Sequence, residues 1–261
     1  MADRTLIVGN WKMHLNVSQA SLLLHRLQER VRISNDIEVV LAPSMLVLQP
    51  LSVRLDRRKF RLAAQNAYAK DEGAFTGEVS FTMLRDLVHY VIFGHSERRI
   101  YFGEGLEMVR DKVAAAVRNE ITPIICVGET HEERKNGETK QVLHDQVTTA
   151  LADLTAKEVQ GIVIAYEPVW AISTFGGELA KPDDVQKEMD YIRQQVAHLY
   201  GPKASKLVRV LYGGSVDEQI AGGYLAIPGC DGVLVGGASI NYHKFSGIID
   251  AAYRLNRTPE K

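Results

Sequence analysis

Residues 90–127 decide the fold. They open with Tyr90-Val-Ile-Phe93, four apolar residues of high β preference, and continue through the polar turn Gly94-His-Ser-Glu97. A helical pattern over 106–119 puts Leu106, Val109, Val113 and Val117 on one stripe, and a second apolar run, Thr122-Pro-Ile-Ile-Cys-Val127, ends the stretch. Two short apolar runs joined by an amphipathic helix mark parallel strands, because parallel pairing needs a crossover and not a tight turn.

The same unit recurs in both directions along the chain. Apolar runs occupy 5–8, 37–41, 60–64, 90–93, 122–127, 162–166, 208–212 and 232–235, with starts 23 to 46 residues apart. That spacing fits strand-helix units rather than hairpins. Most runs are apolar throughout, as strands are when both faces are buried. Between them, 18–31 aligns Leu23, Leu24, Leu27 and Val31, and Pro182-Asp-Asp starts a helix with proline in the first turn and acids at its positive end. No Pro/Gly/Ser-rich linker interrupts the series. The expected fold is α/β, one (β/α)8 barrel domain over 1–261 with eight parallel strands and outer helices.

Composition narrows the function classes. The 261 residues are 46% hydrophobic and 24% charged, with 31 basic against 32 acidic side chains and a net charge of -1. Such a balance gives no field for nucleic acid or an anionic membrane. The one dense basic run, Arg54-Leu-Asp-Arg-Arg-Lys-Phe-Arg61, reads as a solvated segment entering a strand. No stretch approaches the roughly 18 apolar residues of a spanning helix, and the first eight residues lack a signal peptide's apolar core, so a cytoplasmic protein is expected. Cys126 and Cys230 read as reduced, buried thiols. No Gly-x-Gly-x-x-Gly or Gly-Lys-Ser/Thr occurs, and His131-Glu-Glu-Arg-Lys135 breaks the zinc-protease pattern at its fifth position. No metal and no organic cofactor is implied.

Barrels of this kind carry their chemistry where the strands end. Those positions hold Asn10 and Lys12, His95 and Glu97, Glu167, Gly213-Gly-Ser215 and Gly236-Gly237. Polar, ionisable and glycine residues therefore gather on one rim. With Gly9-Asn-Trp-Lys-Met13, Ala64-Gln-Asn66, Gly73-Ala-Phe-Thr-Gly-Glu78, Gly94-His-Ser-Glu-Arg-Arg99, Cys126-Val-Gly-Glu129, Ala165-Tyr-Glu-Pro-Val-Trp170, Tyr212-Gly-Gly-Ser-Val216 and Asp231-Gly-Val-Leu-Val-Gly-Gly-Ala-Ser239, in that order, the chain resembles the triosephosphate isomerase family over nearly its whole length.

The resemblance implies interconversion of dihydroxyacetone phosphate and D-glyceraldehyde 3-phosphate through an enediolate, in glycolysis and gluconeogenesis. It makes Glu167 the base, and burial after an apolar strand is expected to raise that carboxylate's basicity. The resemblance likewise pairs that base with a neutral His95. Ser96 reads as the cap of the following helix, whose N-terminus disfavours an imidazolium. Lys12 offsets enediolate and phosphate charge, Asn10 fixes the lysine, and Glu97 holds it or shuttles protons. Phosphate is expected on the amides of Ser173, Gly214, Ser215, Gly236 and Gly237.

The segment after Trp170 is expected to be a closing lid, latched by Tyr212 and Ser215. Its tip departs from the family: Ser173-Thr-Phe-Gly-Gly-Glu-Leu-Ala180 replaces Gly-Thr-Gly-Lys and is two residues longer, with Glu178 expected to face water. The family also implies a homodimer in which Phe75-Thr76 of one subunit reaches the neighbour's site, with Thr76 and Gln65 supporting the interface and His14 replacing a frequent asparagine. Two other readings compete: an aldose-ketose isomerase for a longer phosphorylated sugar, suggested by the altered lid, and a catalytically silent binding protein on the same barrel.

Overall fold

A computed structural model describes residues 4–32 and 34–256. Eight parallel strands, β1 (Thr5–Asn10), β2 (Ile37–Ala42), β3 (Phe60–Ala64), β4 (Tyr90–Phe93), β5 (Thr122–Val127), β6 (Val163–Tyr166), β7 (Arg209–Tyr212) and β8 (Gly232–Val235), pair in chain order. β8 returns to β1, with Leu6 opposite Gly232 and Gly9 opposite Val235, so the barrel closes without an edge. All eight expected strands are present, and four of them, β1, β2, β6 and β7, extend or retract by one or two residues at an end.

Strand parity explains the continuous apolar runs. Leu6, Val8, Val40, Ala42, Ala63, Tyr90, Ile92, Ile124, Cys126, Val163, Ala165, Leu211 and Leu234 fill the interior as one buried cluster. Their chain neighbours Ile7, Val39, Leu41, Val91, Phe93, Ile125, Ile164, Val210, Val233 and Val235 point outward into a second cluster shared with the helices. Both faces of every strand are thus dry, each buried Val, Leu or Ile contributing about 1.5–3 kcal/mol of transfer free energy. Cys126 and Cys230 are free thiols.

The helices follow their sequence cues. Val17–Arg30 starts at an Asn16–Gln19 capping box and buries Ala20, Leu23, Leu24 and Leu27. Leu106–Arg118 buries Val109 and Val113 as its stripe requires. Pro182–Leu207 begins with proline, and Gly201, at φ 83, breaks it before Pro202. The basic run before β3 is solvated, with Arg54, Arg57 and Arg58 exposed. Among the described residues no helix is long and apolar enough to cross a membrane.

Candidate active site

The parity that fills the barrel also aims the rim. Leu6 and Val8 point inward, so Asn10 is the next inward residue of β1, and Val163 and Ala165 are continued by Glu167. β4 needs a correction, because Tyr90 and Ile92 would be followed inward by residue 94. Gly94 takes a left-handed φ of 64, and His95 turns into the cup instead. A Cβ at Gly94 would stand 3.0 Å from the Cys126 carbonyl. Beside β6, Gly128 lets two backbones touch: a Cβ there would lie 2.0 Å from the Glu167 carbonyl oxygen.

One cavity of about 320 Å³ at this end is lined by Asn10, Lys12, His95, Glu167, Ser173, Gly214, Ser215, Gly236 and Gly237 together. Within it, His95 Nε2 lies 2.9 Å from Glu167 Oε1, and the Ser96 N–H donates to Glu167 Oε2 at 3.0 Å. The His95 Nδ1 accepts the Glu97 N–H at 3.3 Å. That acceptance leaves the proton of a neutral ring on Nε2, facing the carboxylate. His95 itself is therefore the cap of helix Ser96–Phe102, and Ser96 is its first residue.

The expected rise in Glu167 basicity is not what the resting geometry gives. Burial pushes the carboxyl up, but attraction to the His95 ring, its hydrogen bond, the Ser96 N–H and Arg99 outweigh burial and hold it below the usual carboxylate range. The carboxylate is parked on donors, and desolvation alone does not describe it.

Lys12 has a left-handed backbone, φ 51, which is uncommon outside glycine and is held from both sides. The Asn10 Oδ1 accepts its N–H at 3.0 Å, and the Gln65 Nε2 donates to its carbonyl at 2.9 Å and to that of Ala42 at 2.8 Å. Gln65 thus braces the first loop within its own chain. The Lys12 Nζ contacts Glu97 Oε1 at 2.6 Å, and its Cε stands 3.3 Å from where a Gly236 Cβ would be. The ammonium is thereby placed between the acid-base pair and the glycine turn.

On the phosphate side the donors divide. Gly237 and Ala238 open the short helix Gly237–Ile240, whose first N–H groups have no acceptor inside the helix. The Gly214 and Ser173 N–H groups have no acceptor among the described residues. Of the two roles expected for Ser215, the contacts here are those of the lid: its N–H at 3.0 Å and its hydroxyl at 2.7 Å both go to the Ala171 carbonyl.

Both lid hinges are anchored by residues that the sequence did not single out. Glu129, fully buried after β5, accepts from Trp170 Nε1 at 2.8 Å and from the Tyr166 hydroxyl at 3.2 Å. Arg134 lies 3.5 Å from Glu129, 3.3 Å from Asp184 and over the Trp170 ring at 4.4 Å, so it links the two ends of the lid. At the far hinge, the Tyr224 hydroxyl donates to the Ala180 carbonyl at 2.8 Å and its ring stacks on Tyr212 at 4.0 Å. The Tyr212 hydroxyl is buried without a hydrogen-bond partner among the described residues. The rim position of Glu129, inside a quoted motif, was the available signal for the first anchor; nothing local marked Tyr224 or Arg134.

Glu178 is exposed, as are Thr76 and His14. A neighbouring groove of about 530 Å³ runs along Met13, Met45, Gln65, Glu97, Arg98 and Phe102.

Comparison with known proteins places this geometry in context. A family profile described as Triosephosphate isomerase matches residues 5–252. The triosephosphate isomerase of Carboxydothermus hydrogenoformans is 43% identical over 247 residues, 94% of this chain and 98% of that protein. Those of Chloroherpeton thalassium (43% over 254 residues, 95% and 99% covered) and Clostridium tetani (40% over 248, 95% and 96%) are similar at the same level.

Proposed function

The chain belongs to the triosephosphate isomerase family, and we propose that it interconverts dihydroxyacetone phosphate and D-glyceraldehyde 3-phosphate with Glu167 as the base, His95 as the neutral proton donor and Lys12 as the fixed positive charge. The observation that carries the assignment is the 2.9 Å His95–Glu167 contact, made inside the cavity that also holds Lys12.

The resting hydrogen bonds suggest how the base is switched on. The Nε2 proton of His95 serves Glu167 in the empty cup. A substrate carbonyl oxygen entering between them takes that proton as its own donor, and the carboxylate loses the partner that lowers its basicity. Closure of the lid then leaves burial as the dominant influence, which raises it. Glu167 removes a proton from one carbon and returns it to the next. His95 Nε2–H and Lys12 Nζ stabilise the oxygen charge that develops between the two steps. Asn10 and Glu97 position Lys12, while Ser173, Gly214, Gly236 and Gly237 supply the phosphate cradle, with Ser215 and Tyr212 serving the lid.

The same reading makes 1–261 one domain, locates it in the cytoplasm, in glycolysis and gluconeogenesis, and pairs two copies. Met13 (93% exposed) and Phe102 (67%) are large apolar side chains in water that line the groove, and Phe75 (39%) is exposed on the segment that a second copy would insert into it. The decisive assay measures turnover of D-glyceraldehyde 3-phosphate beside His95→Gln. A loss of about 10²–10⁴ in kcat is expected for the variant, and undiminished turnover would remove His95 from the mechanism.

A further inference from the structure

The mouth of the barrel opposite the cup is built from side chains that proton transfer does not use. A cavity of about 780 Å³ opens there, at the N-terminal ends of the strands, and its walls carry Arg4, Arg57, Arg61, Arg85 and Arg209 together with His89. Three carboxylates, Glu38, Asp86 and Glu120, share the wall. Of these only Glu38 pairs with one of the five arginines, Arg209, at 3.3 Å. Arg4, Arg57, Arg61 and Arg85 have no carboxylate within ion-pair distance among the described residues. Arg4 reaches the Ser34 and Ile37 carbonyls instead, and its Nε is buried without an acceptor among the described residues. Arg61 donates to the Arg57 carbonyl.

Arg57 and Arg85 are exposed and Arg4 and Arg61 half-buried, so the four guanidinium groups reach water at the mouth and give it a local positive potential. The chain as a whole carries -1, so the excess is local and not a property of the surface. His89 feels it: partial burial, then Arg61 and Arg57, push its imidazole below its ordinary value. Guanidinium forks match phosphate oxygens two at a time. The arginines come from four separate segments, at the starts of β1, β3 and β7 and beyond helix Phe81–Leu84, so a single small anion would not meet them together. The volume lies within the range of small-ligand sites, about 300–1,000 Å³.

We propose that this lower mouth binds a small molecule carrying two or more phosphate groups, held by Arg4, Arg57, Arg61 and Arg85. The basic run 54–61, solvated as expected, supplies half of that set from the rim of the mouth. The site is independent of the isomerase cup, and its test must separate the two, because the cup also accepts phosphate.

Tripolyphosphate is titrated calorimetrically into the full chain, with the imidazole resonances of His89 followed by NMR. The variants are Arg57→Gln/Arg61→Gln, Lys12→Met in the cup, and Arg30→Gln/Arg118→Gln, which removes equal charge elsewhere. Saturable binding that shifts His89 is expected, weakened about tenfold or more by the first pair and much less by the other two. Without tripolyphosphate, the first pair should leave kcat/KM unchanged. No saturable binding, loss with Lys12→Met alone, or equal weakening by Arg30→Gln/Arg118→Gln overturns the proposal. If the first pair fails to fold by circular dichroism, Arg85→Gln is subject to the same criteria.

Discussion

The cup has a fixed side and a gated side. Lys12, His95 and Glu167 are each held by at least two partners from neighbouring strand ends. Residues 173–179 are exposed or half-exposed, and apart from the Phe175 and Gly177 N–H bonds to Ile172 their polar and aromatic contacts with the described residues are a 3.5 Å approach of Thr174 to Glu97, one of Ser173 to Ser215, and Phe175 against Tyr101. The groups that must meet reacting atoms are pre-positioned, while the lid tip is loose between two anchored hinges. Changes on the fixed side should therefore lower the chemical step itself, and changes on the lid should move opening, closing and KM.

The largest expected effect lies on the fixed side. Glu167→Gln keeps the shape and the contact with His95 but removes the base, and kcat should fall by about 10²–10⁴ with KM little changed. The same variant tests the resting electrostatics. Because the folded carboxyl is held below its ordinary value of 4.5, its ionised form stabilises the fold above that pH, and the stability is lost as pH falls through the lower folded value. Thermal melts from pH 6 to pH 3 should show a steeper acid decline in the parent than in Glu167→Gln. Parallel curves would mean that His95 and Ser96 do not hold the carboxylate as the geometry indicates.

Glu129→Gln probes the boundary between the two regions. The amide can still accept from Trp170, but the charge facing Arg134 is gone, and with it the link across the hinges. We expect a loss of stability of about 1–3 kcal/mol, as for a disturbed buried polar group, and a fall in kcat of about tenfold from disturbed gating. Temperature-jump relaxation of Trp170 fluorescence would report the hinge directly. If exchange of substrate hydrogen with solvent slowed as much as overall turnover, the hinge and the chemistry would not be separable.

What was legible in the sequence follows the same division. Strand positions were readable because burial on both faces makes each run apolar, and the rim residues follow from strand parity at Asn10 and Glu167. His95 was reached through a motif, since its inward turn depends on the left-handed Gly94, which no periodicity reports. The braces were hidden because they span distant segments. Gln65 reads as an interface residue until its amide is seen on the Lys12 and Ala42 carbonyls. Lys112, which no sequence pattern marked, is buried against Glu104 and Asn66. A charge of that kind needs its partner in place to be tolerated, and the partner is set by the tertiary fold alone.

The smallest expected effect, and the finest test of the division, is at the lid tip. Phe175 packs on Tyr101, with ring centroids 5.9 Å apart and an angle of 32° between planes. Tyr101 belongs to helix Ser96–Phe102, which His95 caps and which carries Glu97, the partner of Lys12. The contact therefore ties the gated side to the helix that organises the fixed side. An aromatic pair of this geometry is worth about 0.5–1.5 kcal/mol beyond area, so Phe175→Ala should shift the lid equilibrium by roughly two- to tenfold. KM should change by at most that factor, in the direction that shows which lid position the contact favours. Hydrogen exchange with solvent per bound substrate should stay the same, because neither ring touches the reacting atoms. A change in that ratio would mean that Tyr101 transmits lid position to His95 and Lys12 through the helix, and the two sides of the cup would then have to be treated as one mechanical unit.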